Sequence, residues 1–392
     1  MKRYIIIAAS IAFLVSFVIF AFTVPIFSSG EKNEFKHPVT DLSAIDFQGE
    51  YPLNAARCMA VIDAKTGNVL FSHNANEKRG MASTTKIMTA LVAIENGNPE
   101  EEFSIPKQAI GIEGSSVYLK EGERLTLREL LYCLLLESGN DAATAIAILI
   151  GKTEEGFVGM MNEKARELGL TDTRFANPHG LSDDNHYTTA HDLAVITKHA
   201  MELPLFRDIV STKSASVRYD GTENGRRLVN HNKLLFSTSY AVGVKTGYTK
   251  RDGKCLVSAA EKDGMTVIAV TLQDAFPTST HKQLLDYAFS THENIRLADI
   301  GELESSIPIK NGEKQFSTVK NLIPAEILLP KNAKVTCEVF LPQVLYAPIG
   351  KNEAVGYAVF RANGKEVYIT NLETTEEIKE KKKTLAEKLF GE

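Results

Sequence analysis

Gly80-Met-Ala-Ser-Thr-Thr-Lys-Ile-Met-Thr-Ala-Leu-Val-Ala-Ile94 is the stretch on which the rest of the chain turns. Ile87, Leu91 and Ile94 recur at helical spacing, so the segment predicts an amphipathic helix with Ser83 in its first turn. Lys86 then stands one turn on, on the same face. A serine hydroxyl is a poor nucleophile until a base takes its proton. Lysine serves as that base when burial and neighbouring positive charge depress its pKa. The helix N-terminus adds oriented N–H groups close to a developing oxyanion.

Ser-x-x-Lys alone is a weak signal, since copies start at Ser29, Ser83, Ser104, Ser279 and Ser317. Context separates them. Ser29 follows a membrane-type segment, Ser104 has Pro106 inside its motif, and Ser317 lies in a β or loop stretch. Ser279 opens a helix toward Leu284, Leu285 and Phe289, which capping explains. Two further elements favour Ser83. Ser138-Gly-Asn140 falls between a helix started by the capping box Thr126-Leu-Arg-Glu129 and an apolar helix over 141–150. Alone it reads as a bare interhelical turn; beside the nucleophile, Ser138 can relay a proton to a leaving group while Asn140 orients Lys86 and a substrate amide. Lys245-Thr-Gly247 enters a β run that returns along 266–272 after Asp263-Gly264. On such a strand edge Lys245 attracts a carboxylate, Thr246 hydrogen-bonds it, and Gly247 lets a backbone come close. The N–H groups of Ser83 and Tyr248 are the expected oxyanion donors. The other copy, Lys65-Thr-Gly67, reads as a surface hairpin turn without chemistry.

In this order the motifs resemble the serine-type D-alanyl-D-alanine carboxypeptidases, the low-molecular-mass penicillin-binding proteins of peptidase family S11. The resemblance covers nearly everything beyond the N-terminal segment. It includes Ala82-Ser-Thr-Thr-Lys-Ile-Met-Thr-Ala90, Leu135-Leu-Glu-Ser-Gly-Asn-Asp-Ala142, Asn177-Pro-His-Gly-Leu181, Tyr187-Thr-Thr-Ala-His-Asp-Leu-Ala194 and Gly243-Val-Lys-Thr-Gly-Tyr-Thr249. It implies an α/β (α+β) penicillin-binding-protein/β-lactamase-like transpeptidase fold, with an antiparallel sheet, a helical lobe and a small C-terminal β-sandwich. It also implies removal of the terminal D-Ala from peptidoglycan pentapeptide stems, limiting cross-linking as the wall matures. Ser83 attacks with Lys86 as base, Ser138 helps protonate the departing D-Ala, and Lys245 with Thr246 holds the terminal carboxylate. β-Lactams, which mimic the acyl-D-Ala-D-Ala end, are implied to acylate Ser83 and leave slowly. One departure stands out: many family members carry an arginine shortly before the helix that follows the last hairpin strand, and Asp274-Ala-Phe-Pro-Thr-Ser-Thr-His281 has none. A class A β-lactamase needs a deacylating Glu followed by Asn where Asn177-Pro-His-Gly-Leu181 stands. A membrane-held sensor that acylates without turnover is the other alternative, and release of D-Ala separates it from the enzyme.

His186, His191 and Asp192 read as part of a helix start at Thr189-Ala-His-Asp192 rather than as metal ligands, and His179 as a loop-fixing hydrogen-bonding residue. No glycine-rich phosphate loop follows a strand and no basic aromatic surface suggests nucleic acid, so no cofactor or metal is expected. The formal net charge of -5 over 392 residues is too mild for polyanion binding, and the length suggests two domains. Cys58, Cys133, Cys255 and Cys337, one to a segment, predict buried thiols. Met1-Lys-Arg3 before the apolar run 4–27 predicts a signal peptide or N-terminal membrane anchor over 1–30, with the rest at the outer face of the cell membrane or in the wall. A linker at 31–48, a catalytic domain at 49–294 and a β-rich domain at 295–372 follow, the last with strands at 306–309, 335–340, 354–360 and 366–370. Residues 373–392 read as a charged helix whose Lys379, Lys381, Lys382 and Lys383 can meet anionic lipid.

Overall fold

The computed structural model describes residues 56–219 and 225–382, together with the backbone of Ile19–Thr23. Ala56–Asp63 and Val69–His73 form a hairpin over Lys65-Thr-Gly67. Asp63 shapes the turn, accepting from the Lys65 N–H at 3.1 Å and the Thr66 hydroxyl at 2.6 Å. This hairpin joins a five-stranded antiparallel sheet in the order Val69–His73, Ala56–Asp63, Met265–Asp274, Gly253–Lys262, Ala241–Thr249. Early and late segments therefore share one sheet, as expected, with Ala269 opposite both Val61 and Ser258.

The central strands are nearly unbroken apolar runs because both faces are covered. Val257, Ala259, Ile268, Val270 and Leu272 face the helical lobe and join its core. On the alternate face, Ser258 and Thr271 hold the buried His281 ring of the helix Pro277–Thr291, at 2.6 and 2.9 Å. The lobe packs Lys86–Asn96, Leu127–Leu135, Asn140–Gly151, Glu154–Glu167 and Ala190–Glu202 around Ile87, Leu91, Leu130, Ile146, Phe157 and Ile196. Its helix starts are those the sequence predicts: Thr126 and Glu129 form a reciprocal capping box, and Thr189 accepts from the Asp192 N–H at 2.9 Å. All four cysteines are buried free thiols.

By compactness the chain divides into 44–290 and a unit made of 1–43 and 291–392. The boundary expected at 294/295 is thus displaced: it cuts the strand His292–Ala298, which pairs with Ala325–Pro330 and belongs to the β-rich unit. A larger sheet there runs Ile19–Thr23, Val335–Leu341, Ala354–Ala362, Lys365–Thr374, Phe316–Lys320, Ser305–Lys310, Leu345–Tyr346. Asn363 and Gly364, at φ 52° and 83°, supply the two left-handed residues of its two-residue hairpin turn.

One further expectation changes. Residues 375–382 carry no helix. Instead Ile349 and Ile378 exchange backbone hydrogen bonds at 2.9 Å, and Ile378 is buried with Ile307, Val319 and Val355. An apolar seat in a sheet core outweighs the modest helix propensity of the charged residues around it. Residues 383–392 lie outside the described residues. Of the apolar run 4–27, only Ile19–Thr23 is described, as a strand parallel to Val335–Leu341. The rest of the expected signal or anchor segment, and the linker 31–48, lie outside the described residues. Among the described residues no helix is long and apolar enough to cross a membrane.

Candidate active site

Ser83 sits in a 3-10 turn, Ala82–Thr85, that feeds the helix Lys86–Asn96, with Ala82 at φ 46°. The hydroxyls of Thr84 and Thr85 fix this turn by donating to Met81 O at 2.6 Å and Ala82 O at 2.7 Å. Ser83 is half-buried at a groove of about 700 Å³, lined also by Ser115, Ser138, Leu234, Thr246, Tyr248 and Phe276.

Lys86 is fully buried below it. Its Nζ lies 3.1 Å from Ser83 Oγ and 2.8 Å from Asn140 Oδ1, and it also donates to the His179 carbonyl. The Asn140 amide is oriented by donation from Nδ2 to Glu113 O, which aims Oδ1 at the lysine. Asn140 Oδ1 and His179 O can only accept. They claim the two hydrogens of a neutral amine, so its lone pair is left for the proton of Ser83 Oγ. Burial, and after it the charge of Lys245, holds Lys86 well below the usual lysine range, against a smaller opposing pull from Asp141. Lys245 is itself buried, donates to Thr246 O at 3.0 Å, and is pushed by burial down to about 7.

Ser138, at φ 62°, forms the turn into Asn140–Gly151, and no protein group described here holds its hydroxyl. Asp141, which motif reading passed over, is buried. Its carboxylate accepts from Ser116 Oγ at 2.6 Å and from the N–H groups of Val117 and Leu119 at 3.1 Å each. That clamp holds the loop whose Ser115 carbonyl accepts from Asn140 N at 2.7 Å. The one signal for it in sequence is an acidic residue in a first helical turn.

Asn177-Pro-His-Gly-Leu181 runs against the Ser83 turn. Thr89 donates to Pro178 O at 2.6 Å, and Asn177 Oδ1 accepts from Gly180 N at 2.7 Å. Gly180 has φ 90°, and a Cβ added there would lie 2.1 Å from Ala82 O. His179 Nδ1 accepts from Leu181 N at 3.2 Å; burial, then the charges of Lys86 and His186, push its pKa down to about 3. His186 Nδ1 accepts from Ala176 N at 3.0 Å, so its Nε2–H donates to Thr85 Oγ1 at 2.7 Å and braces the Ser83 turn. Burial pushes His186 down to about 4. Among the described residues no group of three or more His, Cys, Asp or Glu is placed to hold a metal ion.

A Cβ on Gly247 would come within 3.0 Å of the backbone nitrogens of both Ser83 and Thr84, so the edge strand Ala241–Thr249 rests directly on the Ser83 turn. First-turn N–H groups such as that of Ser83 have no intrahelical acceptor. The structure therefore brings all eight sequence-predicted residues together. Ser83, Ser138, Thr246, Gly247 and Tyr248 line the groove, with Lys86, Asn140 and Lys245 beneath it. The decoy Ser279 lines the same groove but donates to Phe276 O at 2.9 Å, and its Lys282 is paired with Asp286 at 2.6 Å.

Residues 47–276 match the Peptidase S11 family model, described as D-alanyl-D-alanine carboxypeptidase. The chain is 33% identical over 335 residues to the D-alanyl-D-alanine carboxypeptidase DacF of Bacillus subtilis (strain 168), spanning 83% of this chain and 86% of that one. Among solved structures it is similar to penicillin binding protein 5 from Haemophilus influenzae, with TM-score 0.74 and 27% identity over 85% of this chain and 100% of that one. It is similar also to the DD-transpeptidase of Streptomyces K15, with TM-score 0.58 and 35% identity over 61% of this chain and 100% of that one.

Proposed function

This chain belongs to the peptidase S11 family of D-alanyl-D-alanine carboxypeptidases, and from that premise we propose a serine mechanism with Ser83 as nucleophile and Lys86 as its base. The enzyme removes the terminal D-Ala of a peptidoglycan stem. Ser83 Oγ attacks the carbonyl carbon of the penultimate D-Ala while its proton passes to Lys86 Nζ. The oxyanion lies between the N–H groups of Ser83 and Tyr248. As the peptide C–N bond breaks, Ser138 hands its proton to the leaving nitrogen and is resupplied from the Lys86 ammonium. Free D-Ala departs, leaving the shortened stem as an ester on Ser83. Water, deprotonated by Lys86, attacks that ester, and its collapse restores Ser83. Lys245 and Thr246 hold the terminal carboxylate during the first step. A β-lactam ring opened by the same attack leaves a penicilloyl ester on Ser83.

The observation that carries this reading is the environment of Lys86: 3.1 Å from Ser83 Oγ, buried, with Asn140 Oδ1 and His179 O taking its other hydrogens. An extracytoplasmic site of action is supported by the charged and then apolar start of the chain, residues 1–30.

The test is to incubate the full chain with diacetyl-L-Lys-D-Ala-D-Ala and assay free D-Ala. Release that disappears in Ser83→Ala is expected. Stoichiometric penicillin labelling of Ser83→Ala would place the nucleophile elsewhere.

A further inference from the structure

The strand pair that carries Lys245-Thr-Gly247 puts a second lysine on the groove. In the register of Ala241–Thr249 with Gly253–Lys262, Thr246 stands opposite Leu256 and Tyr248 opposite Lys254. Directly opposed residues, and residues two apart on one strand, share a sheet face. Thr246, Tyr248, Leu256 and Lys254 therefore form one patch, and all four line the groove beside Ser83. Lys245 alternates to the other face and is buried. Thr246 and Lys254 are diagonal neighbours, roughly 7–8 Å apart, within the reach of a four-carbon side chain. Lys254 Nζ donates one hydrogen to Ala275 O at 3.0 Å, in the stretch 274–281 that contains no arginine. Two of its three hydrogens remain to donate.

Two of the other groove cations are engaged. Lys282 pairs with Asp286 at 2.6 Å and His231 with Glu137 at 3.1 Å. Lys233, which caps the short helix Leu234–Ser237, lines the same groove and is the rival cation that the experiment must separate. Among the described residues no aspartate or glutamate lines the groove, so a carboxylate entering it meets positive charge. Lys245 supplies only part of that charge near neutral pH, because burial holds it at about 7.

We propose that Lys254 is a specificity-determining residue that, with Thr246, binds the C-terminal carboxylate of the D-Ala-D-Ala stem and so selects peptides with a free C-terminus. This rests on Ser83 as the nucleophile of the same groove. Ammonium and hydroxyl grip the carboxylate from one sheet face while Lys86 works on the other side of the strand.

The experiment compares kcat/KM for diacetyl-L-Lys-D-Ala-D-Ala and for its C-terminal amide, with release read by mass spectrometry, in the wild type, Lys254→Gln, Lys254→Arg and Lys233→Gln. Lys254→Gln is expected to lower the acid-to-amide ratio roughly 10- to 100-fold, the range for a hydrogen bond to a charged partner. The loss falls on the acid alone, and Lys254→Arg restores most of it. Equal losses on acid and amide, an unchanged ratio, or a ratio that collapses in Lys233→Gln instead would each overturn the assignment. If the wild type releases no D-Ala while Ser83 still takes penicillin, the carboxypeptidase reading itself has failed, which is a separate result.

Discussion

Asn140→Asp exchanges one NH2 for an oxygen and leaves a carboxylate 2.8 Å from Lys86 Nζ. Burial and Lys245 hold the lysine well below its ordinary range, and a negative charge at this distance opposes both. An opposite charge a few ångström away favours the ionised form by about one to three pH units. Lys86 then keeps its proton over a correspondingly wider range. Only the free amine can accept the Ser83 proton, so on the acidic limb acylation falls about tenfold per unit, or roughly 10- to 1,000-fold in all. The limb itself moves up by the same one to three units. The substitution also deletes the hydrogen bond from Nδ2 to Glu113 O. That loss costs about 1 kcal/mol, roughly fivefold, and does not depend on pH. The two effects are therefore separable in one experiment: the second-order rate of acylation by a fluorescent penicillin, followed from mildly acidic to alkaline pH, with thermal unfolding as a control. Asn140→Ala, which removes the acceptor but adds no charge, should leave the limb where it is or lower it. A uniform drop in Asn140→Asp with an unmoved limb would refute Lys86 as the base.

Lys245 makes stability depend on pH in a definite direction. Below about 7 the folded and unfolded chains both hold its proton and the fold bears the whole cost of burying the charge; between about 7 and the ordinary 10.5 the folded residue has released a proton that the unfolded chain keeps. Unfolding then takes up a proton, so stability climbs by up to about 1.4 kcal/mol per pH unit. Lys245→Met should accordingly raise Tm most below pH 7 and progressively less above it, and a gain independent of pH would contradict the reasoning. Ser138→Ala should cut D-Ala release by about 10²- to 10⁴-fold without abolishing the fold, since among the described residues no protein group holds the hydroxyl; undiminished release would remove Ser138 from the proton path. Gly180→Ala should cost about 1–2 kcal/mol for its left-handed backbone alone. With a Cβ 2.1 Å from Ala82 O it must also displace the nucleophile turn, so acylation should fall at least about tenfold, and an unchanged acylation rate would show that the loop does not hold Ser83.

Sequence is legible where one residue type imposes its own geometry on its neighbours. The Thr126–Glu129 box, the Asn363-Gly364 turn and the Thr189 cap are local chemistry and fold as written. The choice of Ser83 among five Ser-x-x-Lys copies rested on Ser138-Gly-Asn140 and Lys245-Thr-Gly247, since Ser279 also opens a helix with an apolar stripe behind it. The tail was misread because Ile378 is one apolar residue in a charged run, and its partner Ile349 lies 29 positions earlier, outside any window of periodicity. Phe316–Lys320 and Ala325–Pro330 were missed because short strands closed by long-range pairing carry little pattern of their own. The site's least legible part is the set of acceptors around Lys86, the proposed base. One of the two acceptors that direct Lys86 is a main-chain oxygen, 93 residues away, and every residue has one. What identifies its loop is the approach of Gly180 to Ala82 and the Asn177 side chain that binds Gly180 N, not the imidazole that draws the eye. His179 stays neutral and accepts from Leu181 N. The steric demand at this loop therefore falls on the glycine: His179→Gln keeps the carbonyl to which Lys86 donates, whereas any side chain at Gly180 pushes on the Ser83 turn.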